Sequence, residues 1–267
     1  MARTVLARKV RATTSQPAVD AQTSTRSDDR LRLVRAFQRR LLGWYKRHQR
    51  ALPWRETRDP YKILVSEVML QQTQVDRVIP KYHQFLKRYP DLPALAKARL
   101  PELKKVWYPL GYNIRPIRLR KIAQTVVEQH GGQLPDSYDG LVALDGIGRY
   151  TAGAVLSFAF GKDAPILDTN VARLLERYFG IGSPDAPRPA GKKPAGPSRR
   201  MLWELAEHVI PPGNAYDINQ AMMDMGALIC TARKPKCGAC ALRRDCRSYP
   251  YETPAAPASR ARRDRAD

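Results

Sequence analysis

Apolar side chains recur along this chain at the three- and four-residue spacing of amphipathic helices. From position 28 onward, Leu31, Val34, Phe37, Leu41, Trp44 and Tyr45 follow this spacing, which predicts one long helix. A second stripe runs from Val75 to Tyr89 and stops at Pro90. The sequence offers no alternating apolar and polar run of useful length. We therefore predict an all-α fold.

Proline and glycine divide the rest of the chain into further predicted helices. Asp59-Pro60 opens a helix that contains SEVMLQQTQV at 66–75, where an acid and a polar cluster interrupt an apolar run. Residues 181–198 are rich in proline and glycine and predict a surface loop or linker, while 1–27 and 251–267 are predicted disordered tails, the first of them basic. The remaining predicted helices cover 93–98, 101–107, 115–129, 136–144, 149–160, 169–179, 199–209 and 216–228.

The charge balance points to a polyanionic partner. The chain has 47 basic and 25 acidic residues, a net charge of +22. Nucleic acid fits this excess better than a membrane, because the sequence has neither a basic amphipathic anchor nor an apolar run of spanning length. The first residues, MARTVLARKVRATTSQ, lack the apolar core of a signal peptide. Their Arg-, Thr- and Ser-rich composition leaves an organelle transit peptide as the alternative to a disordered tail.

All four cysteines lie within a short C-terminal stretch, at Cys230, Cys237, Cys240 and Cys246. Nothing indicates secretion, so the cluster favours a metal site over disulfides. The spacing C-x6-C-x2-C-x5-C has one short pair flanked by single cysteines. This pattern favours a [4Fe–4S] cluster, and zinc remains the alternative, since its sites usually show two short pairs. The basic residues between the first two cysteines form either a phosphate contact or a solvated charge run.

The segment from Asp145 to Arg149 suggests binding of a phosphate-bearing ligand. Asp145-Gly-Ile-Gly148 joins two predicted helices, and Gly146 and Gly148 would let backbone amides approach a phosphate. Arg149 follows directly, which predicts a helix-hairpin-helix clamp on a nucleic-acid backbone, although a plain turn between helices would also use glycine. The hairpin would position the protein without reading sequence.

Two carboxylates have complementary surroundings. Glu67 lies among Val65, Val68 and Met69, where burial would raise its pKa and keep a general acid protonated. Asp168 sits where the 169–179 helix begins, so it is either a simple N-cap or an ionised group that stabilises a developing cation. Asn170 could hold that carboxylate or a water.

Several motifs together resemble the MutY-type adenine DNA glycosylases, within the helix-hairpin-helix glycosylases of the endonuclease III superfamily that carry a Gly/Pro-rich segment and an aspartate after the hairpin. The resemblance runs from about residue 31 to 246. It rests on the hairpin, the cysteine spacing and the stretches LPWR (52–55), DPY (59–61), SEVMLQQTQV (66–75), LGY (110–112), GIGRYTAG (146–153) and NQAMMDMG (219–226).

This resemblance implies a fold of two lobes with the active site between them. One would be a six-helix lobe over 59–163 that ends with the hairpin. The other would combine 28–58 with 164–250 and carry the [4Fe–4S] cluster on the four cysteines. The implied partner is double-stranded DNA with a mismatched or damaged base, bound by a monomer located in the cytoplasm with the nucleoid and not at a membrane.

The resemblance also implies roles for individual residues. Glu67 would protonate the adenine at N7, and Asp168, assisted by Asn170, would stabilise the sugar cation. The DNA-contacting set would insert into the duplex, wedge the opposite base, hold the extruded adenine and clamp the backbone. Its members are Gln72, Thr73, Tyr112, Arg55, Asp224, Gly146, Gly148, Arg149 and Tyr150.

Tyr150 separates this chain from the bifunctional branch of the superfamily. Endonuclease III has a lysine at this point, which attacks the sugar, and a tyrosine cannot form a Schiff base. We therefore expect base removal without strand cleavage. Tyrosine also occurs here in relatives that remove thymine or uracil opposite guanine, so such an enzyme is the first alternative. A non-catalytic DNA-binding protein is the second.

The C-terminal end of the sequence sets a further expectation. The chain stops soon after Cys246, whereas many adenine glycosylases continue into a domain that senses 8-oxoguanine. We therefore expect either weaker discrimination between oxidised and normal guanine opposite the adenine, or discrimination supplied by another protein.

Overall fold

The computed structural model describes the backbone of residues 18–181 and 197–251, and side chains from residue 28 onward within those ranges. This part of the chain forms eleven α-helices, two short 3-10 helices at Pro53–Arg55 and Cys237–Ala239, and no strand, which confirms the all-α prediction. The helices are α1 (Ala18–His48), α2 (Pro60–Leu70), α3 (Val75–Arg88), α4 (Leu92–Ala96), α5 (Leu100–Trp107), α6 (Ile114–Gln129), α7 (Tyr138–Val142), α8 (Arg149–Phe158), α9 (Thr169–Phe179), α10 (Arg199–His208) and α11 (Ala215–Leu228).

Two helix boundaries and one helix count differ from the sequence prediction. Helix α1 begins at Ala18, so the last part of the predicted N-terminal tail has a helical backbone. Helix α2 ends at Leu70, and the Gln-Gln-Thr cluster lies in a turn after it, not on the helix. The range 59–163 holds seven helices, α2 to α8, and not six. Residues 1–17 and 252–267 of the predicted tails, and 182–196 of the predicted loop, lie outside the described residues.

Helix α2 is the centre of the first lobe. It packs against α3, α6 and α8, while α4 and α5 pack against α6, and α7 packs against α8. The Asp59 carboxylate accepts hydrogen bonds from the N–H groups of Tyr61 and Lys62 and so starts the helix. Neighbours on several sides bury every residue from Ile63 to Met69, including the polar Ser66 and Glu67. An acid on this helix is therefore withdrawn from water.

The second lobe is built around α11, which packs against α1 and α9, with α10 on α9. Helix α11 also contacts α8 and so joins the lobes. At that junction the buried Asn219 amide donates hydrogen bonds to Ser157 Oγ (3.1 Å) and to the Ala164 carbonyl (2.8 Å). The apolar core runs through both lobes without a break. Among the helices in the described ranges, none combines the length and apolarity that crossing a membrane requires.

Candidate active site

Glu67 is a carboxyl group enclosed by the first lobe. Only 3% of the residue is exposed, and burial raises its pKa from 4.5 to about 7. A hydrogen bond with the Tyr150 side chain and the charge of Arg55 lower this pKa, while the charge of Asp168 raises it. Burial dominates, because a desolvated carboxylate loses more than these partners return. The predicted burial of Glu67 and its raised pKa are thus confirmed, and the group is a weak acid near neutral pH.

Asp168 has the opposite surroundings, at the start of α9. Its Oδ1 accepts a hydrogen bond from the Val171 N–H at 2.7 Å, which confirms the predicted N-cap. Its Oδ2 accepts a bond from Asn170 Nδ2 at 3.2 Å. The residue is half-buried, and its two oxygens accept hydrogen bonds at the N-terminal end of α9.

Glu67 and Asp168 come from different lobes and interact electrostatically. The charge of Asp168 raises the pKa of both Glu67 and Tyr150. A tight contact between α8 and the segment before Asp168 accompanies this approach. A Cβ atom on Gly153 would lie 2.2 Å from the Pro165 carbonyl oxygen, so only glycine fits there. Tyr150, one helical turn earlier on α8, is hydrogen-bonded to Glu67 and lies within reach of the Asp168 charge.

Asn170 belongs to a hydrogen-bond network that reaches the cysteine loop. Its Oδ1 accepts a bond from Arg173 Nη2 at 2.8 Å. The same guanidinium donates to the Gly226 carbonyl at 2.7 Å and to the Cys230 carbonyl at 2.8 Å. A Cβ on Gly226 would come within 2.9 Å of Asn170, so α9 and α11 are in close contact here. Arg173, which the sequence pattern did not single out, thus ties Asp168 through Asn170 to the first cysteine.

Arg55 and Asp224, both predicted to help hold an extruded adenine, interact directly with each other. Asp224 is fully buried, and Arg55 donates to its two oxygens at 2.9 and 2.8 Å. Arg50 adds bonds from its backbone N–H (3.1 Å) and from Nε (2.7 Å), and these arginines lower the pKa of Asp224. The carboxylate therefore orients the two arginines. The sequence reasoning missed Arg50, whose partner lies far along the chain.

The hairpin carries one glycine that the backbone requires. Gly146 has φ +101°, which side-chain residues rarely adopt. Gly148 is the N-cap of α8 with φ −92°, and a Cβ there would meet open space, so neither backbone conformation nor packing requires glycine at this position. Arg149 is exposed, with its guanidinium 4.1 Å from the centre of the Trp203 ring on α10. Stacking on a buried indole restricts a cation that remains accessible to phosphate.

Two exposed turns near the end of α2 hold strained residues. Gln72 and Tyr112 are the non-glycine residues with left-handed backbones among those described, with φ of 54° and 48°. Such positions cost about 1–3 kcal/mol each and concentrate at functional sites. Tyr112 is 58% exposed, while Thr73 donates a hydrogen bond to the Gln71 carbonyl within its turn. All three predicted DNA-contacting residues therefore lie in turns, and Gln72 and Tyr112 are exposed.

The four cysteines line one cavity, together with Arg177, Leu174 and Tyr249. All four thiols are unpaired, and burial raises the pKa of Cys240 to about 11. Within the described residues, no three His, Cys, Asp or Glu side chains converge closely enough to bind a single metal ion. Four thiols around one cavity fit a [4Fe–4S] cluster, in which each cysteine binds a different iron.

Comparison with known proteins agrees with this arrangement. A family model described as the HhH-GPD superfamily base excision DNA repair protein matches residues 65–193. The iron-sulfur binding domain of endonuclease III matches residues 230–246, the span of the four cysteines. A solved endonuclease III–DNA complex, 22% identical, shares the fold with a TM-score of 0.67, covering 81% of this chain and 95% of that one. The fold and the cysteine loop define an endonuclease III-type repair protein with a [4Fe–4S] cluster.

Relatives of known activity are more similar in sequence. The adenine DNA glycosylase of Homo sapiens is 41% identical over 228 residues, 80% of this chain but 40% of that protein. That of Buchnera aphidicola is 39% identical over 80% of this chain and 58% of its own length. The thymine-DNA glycosylase of Aeropyrum pernix is 38% identical over 81% of this chain and 95% of that protein.

These matches establish the family. A solved thermostable thymine-DNA glycosylase, 34% identical, superposes with a TM-score of 0.74 over 82% of this chain and 97% of that one. The chain belongs to the HhH-GPD superfamily of base excision DNA repair proteins. It spans about half the length of the adenine DNA glycosylases it matches.

Proposed function

We propose that this protein is a monofunctional DNA glycosylase that removes adenine mispaired with 8-oxoguanine or guanine. The observation that carries this proposal is the pair of interacting carboxylates, in which Glu67 has a pKa raised to about 7 and Asp168 is close enough to contribute to that rise. Enzymes that break glycosidic bonds commonly use two carboxyl groups, one protonated and one ionised. The similarity to adenine DNA glycosylases supports adenine as the base.

The proposed reaction begins with a base outside the helix. Extrusion costs a few kcal/mol and is easiest at a mismatch. Glu67 then gives its proton to adenine N7, and the bond between N9 and the sugar C1′ breaks with its electron pair passing to the purine. Asp168 stabilises the positive charge left on the sugar. Water adds at C1′ and yields an abasic site. The proton that this water loses goes to the Glu67 carboxylate, which restores the acid.

Other residues would hold the duplex for this reaction. Gly146, Gly148 and the stacked Arg149 would bind the phosphate backbone, and Gln72, Thr73 and Tyr112 would enter the duplex beside the extruded nucleotide. The [4Fe–4S] cluster, held by the four cysteines, would brace the basic loop that contains Lys234 and Lys236. The partner we propose is mismatched duplex DNA bound by a monomer in the cell's DNA-containing compartment.

Strand cleavage is not part of the proposed activity. Tyr150 lies at the hairpin position where an attacking lysine amine would be needed, and its side chain is hydrogen-bonded to Glu67. A phenol forms no Schiff base, so the product would remain an intact strand with an abasic site. Asp224 and Arg50 would serve indirectly, by fixing Arg55 near the extruded base.

A thymine or uracil mismatch glycosylase is the second candidate. It is favoured by the Aeropyrum pernix thymine-DNA glycosylase, which aligns with this chain over 95% of its own length. Its chemistry would use the same cleft and a similar stabilised sugar cation. Only the contacts to the extruded base would differ.

Base release from four duplexes tests the proposal. The holoprotein would be incubated with A opposite 8-oxoguanine, A opposite guanine, T opposite guanine and U opposite guanine, with and without alkali. We expect strand breaks only after alkali, and from the adenine mispairs. Release of thymine or uracil alone would establish the second candidate, and breaks without alkali would contradict the monofunctional assignment.

A further inference from the structure

Arg115, at the start of α6, lies between the two strained turns that follow α2 and α5. The residue is 5% exposed, and its guanidinium donates to six oxygens through its two terminal nitrogens. One strained turn contains Gln72 and the other Tyr112, and both left-handed residues are exposed. A buried cation therefore separates two surface residues that lie far apart in sequence.

On one side the guanidinium holds the end of α2. Its Nη1 donates to the carbonyls of Val68 (3.0 Å) and Met69 (2.9 Å) and, past the helix end, to that of Gln71 (2.6 Å). The last carbonyls of a helix have no partner within it, so these bonds terminate α2. Nη2 donates to Thr73 Oγ1 at 3.1 Å. The carbonyl and hydroxyl on either side of Gln72 are thus fixed.

On the other side the same group holds the loop before α6. Nη2 donates to the carbonyls of Leu110 (3.1 Å) and Gly111 (3.2 Å), directly before Tyr112. The guanidinium carbon lies 5.4 Å from the Tyr112 ring centre and 5.3 Å from that of the buried Trp107. The planar fork of arginine can serve both loops at once, and a lysine ammonium cannot.

We propose that Arg115 is a positioning residue that sets the spacing between Gln72 and Tyr112, so that both side chains enter a mismatched duplex together. The proposal rests on the proposed function, in which these two residues contact DNA. Its physical basis is preorganisation: strained turns that are already formed need not be ordered when the duplex binds. Capping of α2 alone would need only the bonds to Val68 and Met69, and four of the six bonds lie beyond them.

The test uses Arg115→Lys in the full-length holoprotein, with Arg120→Lys as the matched control. Arg120 is half-buried further along the same helix, so the control makes the same chemical change there. The first measurement is amide hydrogen exchange without DNA. We expect Arg115→Lys to speed exchange in both 71–74 and 110–113, and Arg120→Lys to leave both segments as in the wild type. Unchanged exchange in either segment would overturn the proposal.

The second measurement compares two duplexes. One holds a non-cleavable 2′-fluoro-adenosine opposite guanine, and the other an abasic analogue that has no base to extrude. Loss of charge-assisted hydrogen bonds at a positioning group predicts roughly ten-fold weaker binding to the first duplex by Arg115→Lys. Affinity for the abasic duplex should change several-fold less. Equal losses on both duplexes would mean a general structural role and contradict the proposal.

A second variant keeps the test decisive if Arg115→Lys folds poorly. Gln72→Gly relieves the left-handed strain, because glycine adopts positive φ freely. Arg115→Lys with Gln72→Gly should therefore be more stable than Arg115→Lys alone and should still discriminate the two duplexes less than Gln72→Gly alone does. Discrimination equal to that of Gln72→Gly would count against Arg115. A wild type that releases no base from any duplex would refute the proposed function instead. The hydrogen-exchange result would still show whether Arg115 orders the two turns, because that measurement is made without DNA.

Discussion

Glu67 and Asp168 are held in place by different interactions in the two lobes. Glu67 lies in the middle of α2, where neighbouring helices exclude water and raise its pKa to about 7. Asp168 lies at the end of a helix, where the Val171 N–H and the Asn170 amide donate to it. Burial favours the neutral form of Glu67, whereas Asp168 is half-buried and is held by hydrogen bonds at the N-terminal end of its helix. The same functional group can thus serve as acid and as anion within one site.

The largest expected effect is on Glu67→Gln. The amide keeps the shape of the protonated acid but has no proton to give, so we expect base release to slow by about 10²- to 10⁴-fold. Single-turnover excision from a mispaired duplex measures this loss. The decline of the rate as the pH rises through about 7 should disappear with it, and a Gln variant with full activity would remove Glu67 from the mechanism.

The same variant should gain stability at alkaline pH. The folded protein binds more protons at Glu67 than the unfolded chain between pH 4.5 and about 7, so its stability falls through that range. Above pH 7 the ionised, buried group costs on the order of 3 kcal/mol, which glutamine avoids. Denaturant unfolding at pH 8 should therefore show Glu67→Gln to be more stable than the wild type, and an unchanged midpoint would argue against a dry acid.

Asp168→Asn is expected to have the next largest effect. Asparagine still caps the Val171 N–H, so the fold should persist, while loss of the charge should slow excision by about 10²- to 10³-fold. The Asp168 charge raises the pKa of Glu67, so the residual activity should also be lost at a lower pH than in the wild type. A pH series of single-turnover rates tests both statements.

Tyr150→Phe should have the smallest effect on the rate, and it should shift the pH dependence in the direction opposite to that of Asp168→Asn. Its hydrogen bond lowers the pKa of Glu67, so removing it should move the loss of activity to higher pH. The rate at low pH should fall by no more than roughly ten-fold, because one hydrogen bond is lost and the acid remains. If Asp168→Asn and Tyr150→Phe both shifted the loss of activity in the same direction, the result would contradict the opposite effects of Asp168 and Tyr150 on the pKa of Glu67.

Local sequence pattern predicted much of this site and missed its long-range contacts. Helix α9 and its Asp168 cap follow from adjacent residues, and the apolar run around Glu67 implied its burial. The end of α2 at Leu70 did not, because it depends on Arg115, more than forty residues away. The pairing of Arg55 with Asp224 and the link from Arg173 to Cys230 also join distant segments, and no local pattern encodes them.

The pH dependence of single-turnover excision, compared between the wild type and Glu67→Gln, tests the central claim most directly. We expect the wild-type rate to be highest at low pH and to decline through about pH 7, the pKa of the buried acid. The Glu67→Gln rate should be low and flat across the same range. A wild-type rate that stayed constant from pH 5 to 9, or a decline that persisted in Glu67→Gln, would contradict the assignment of Glu67 as the proton donor.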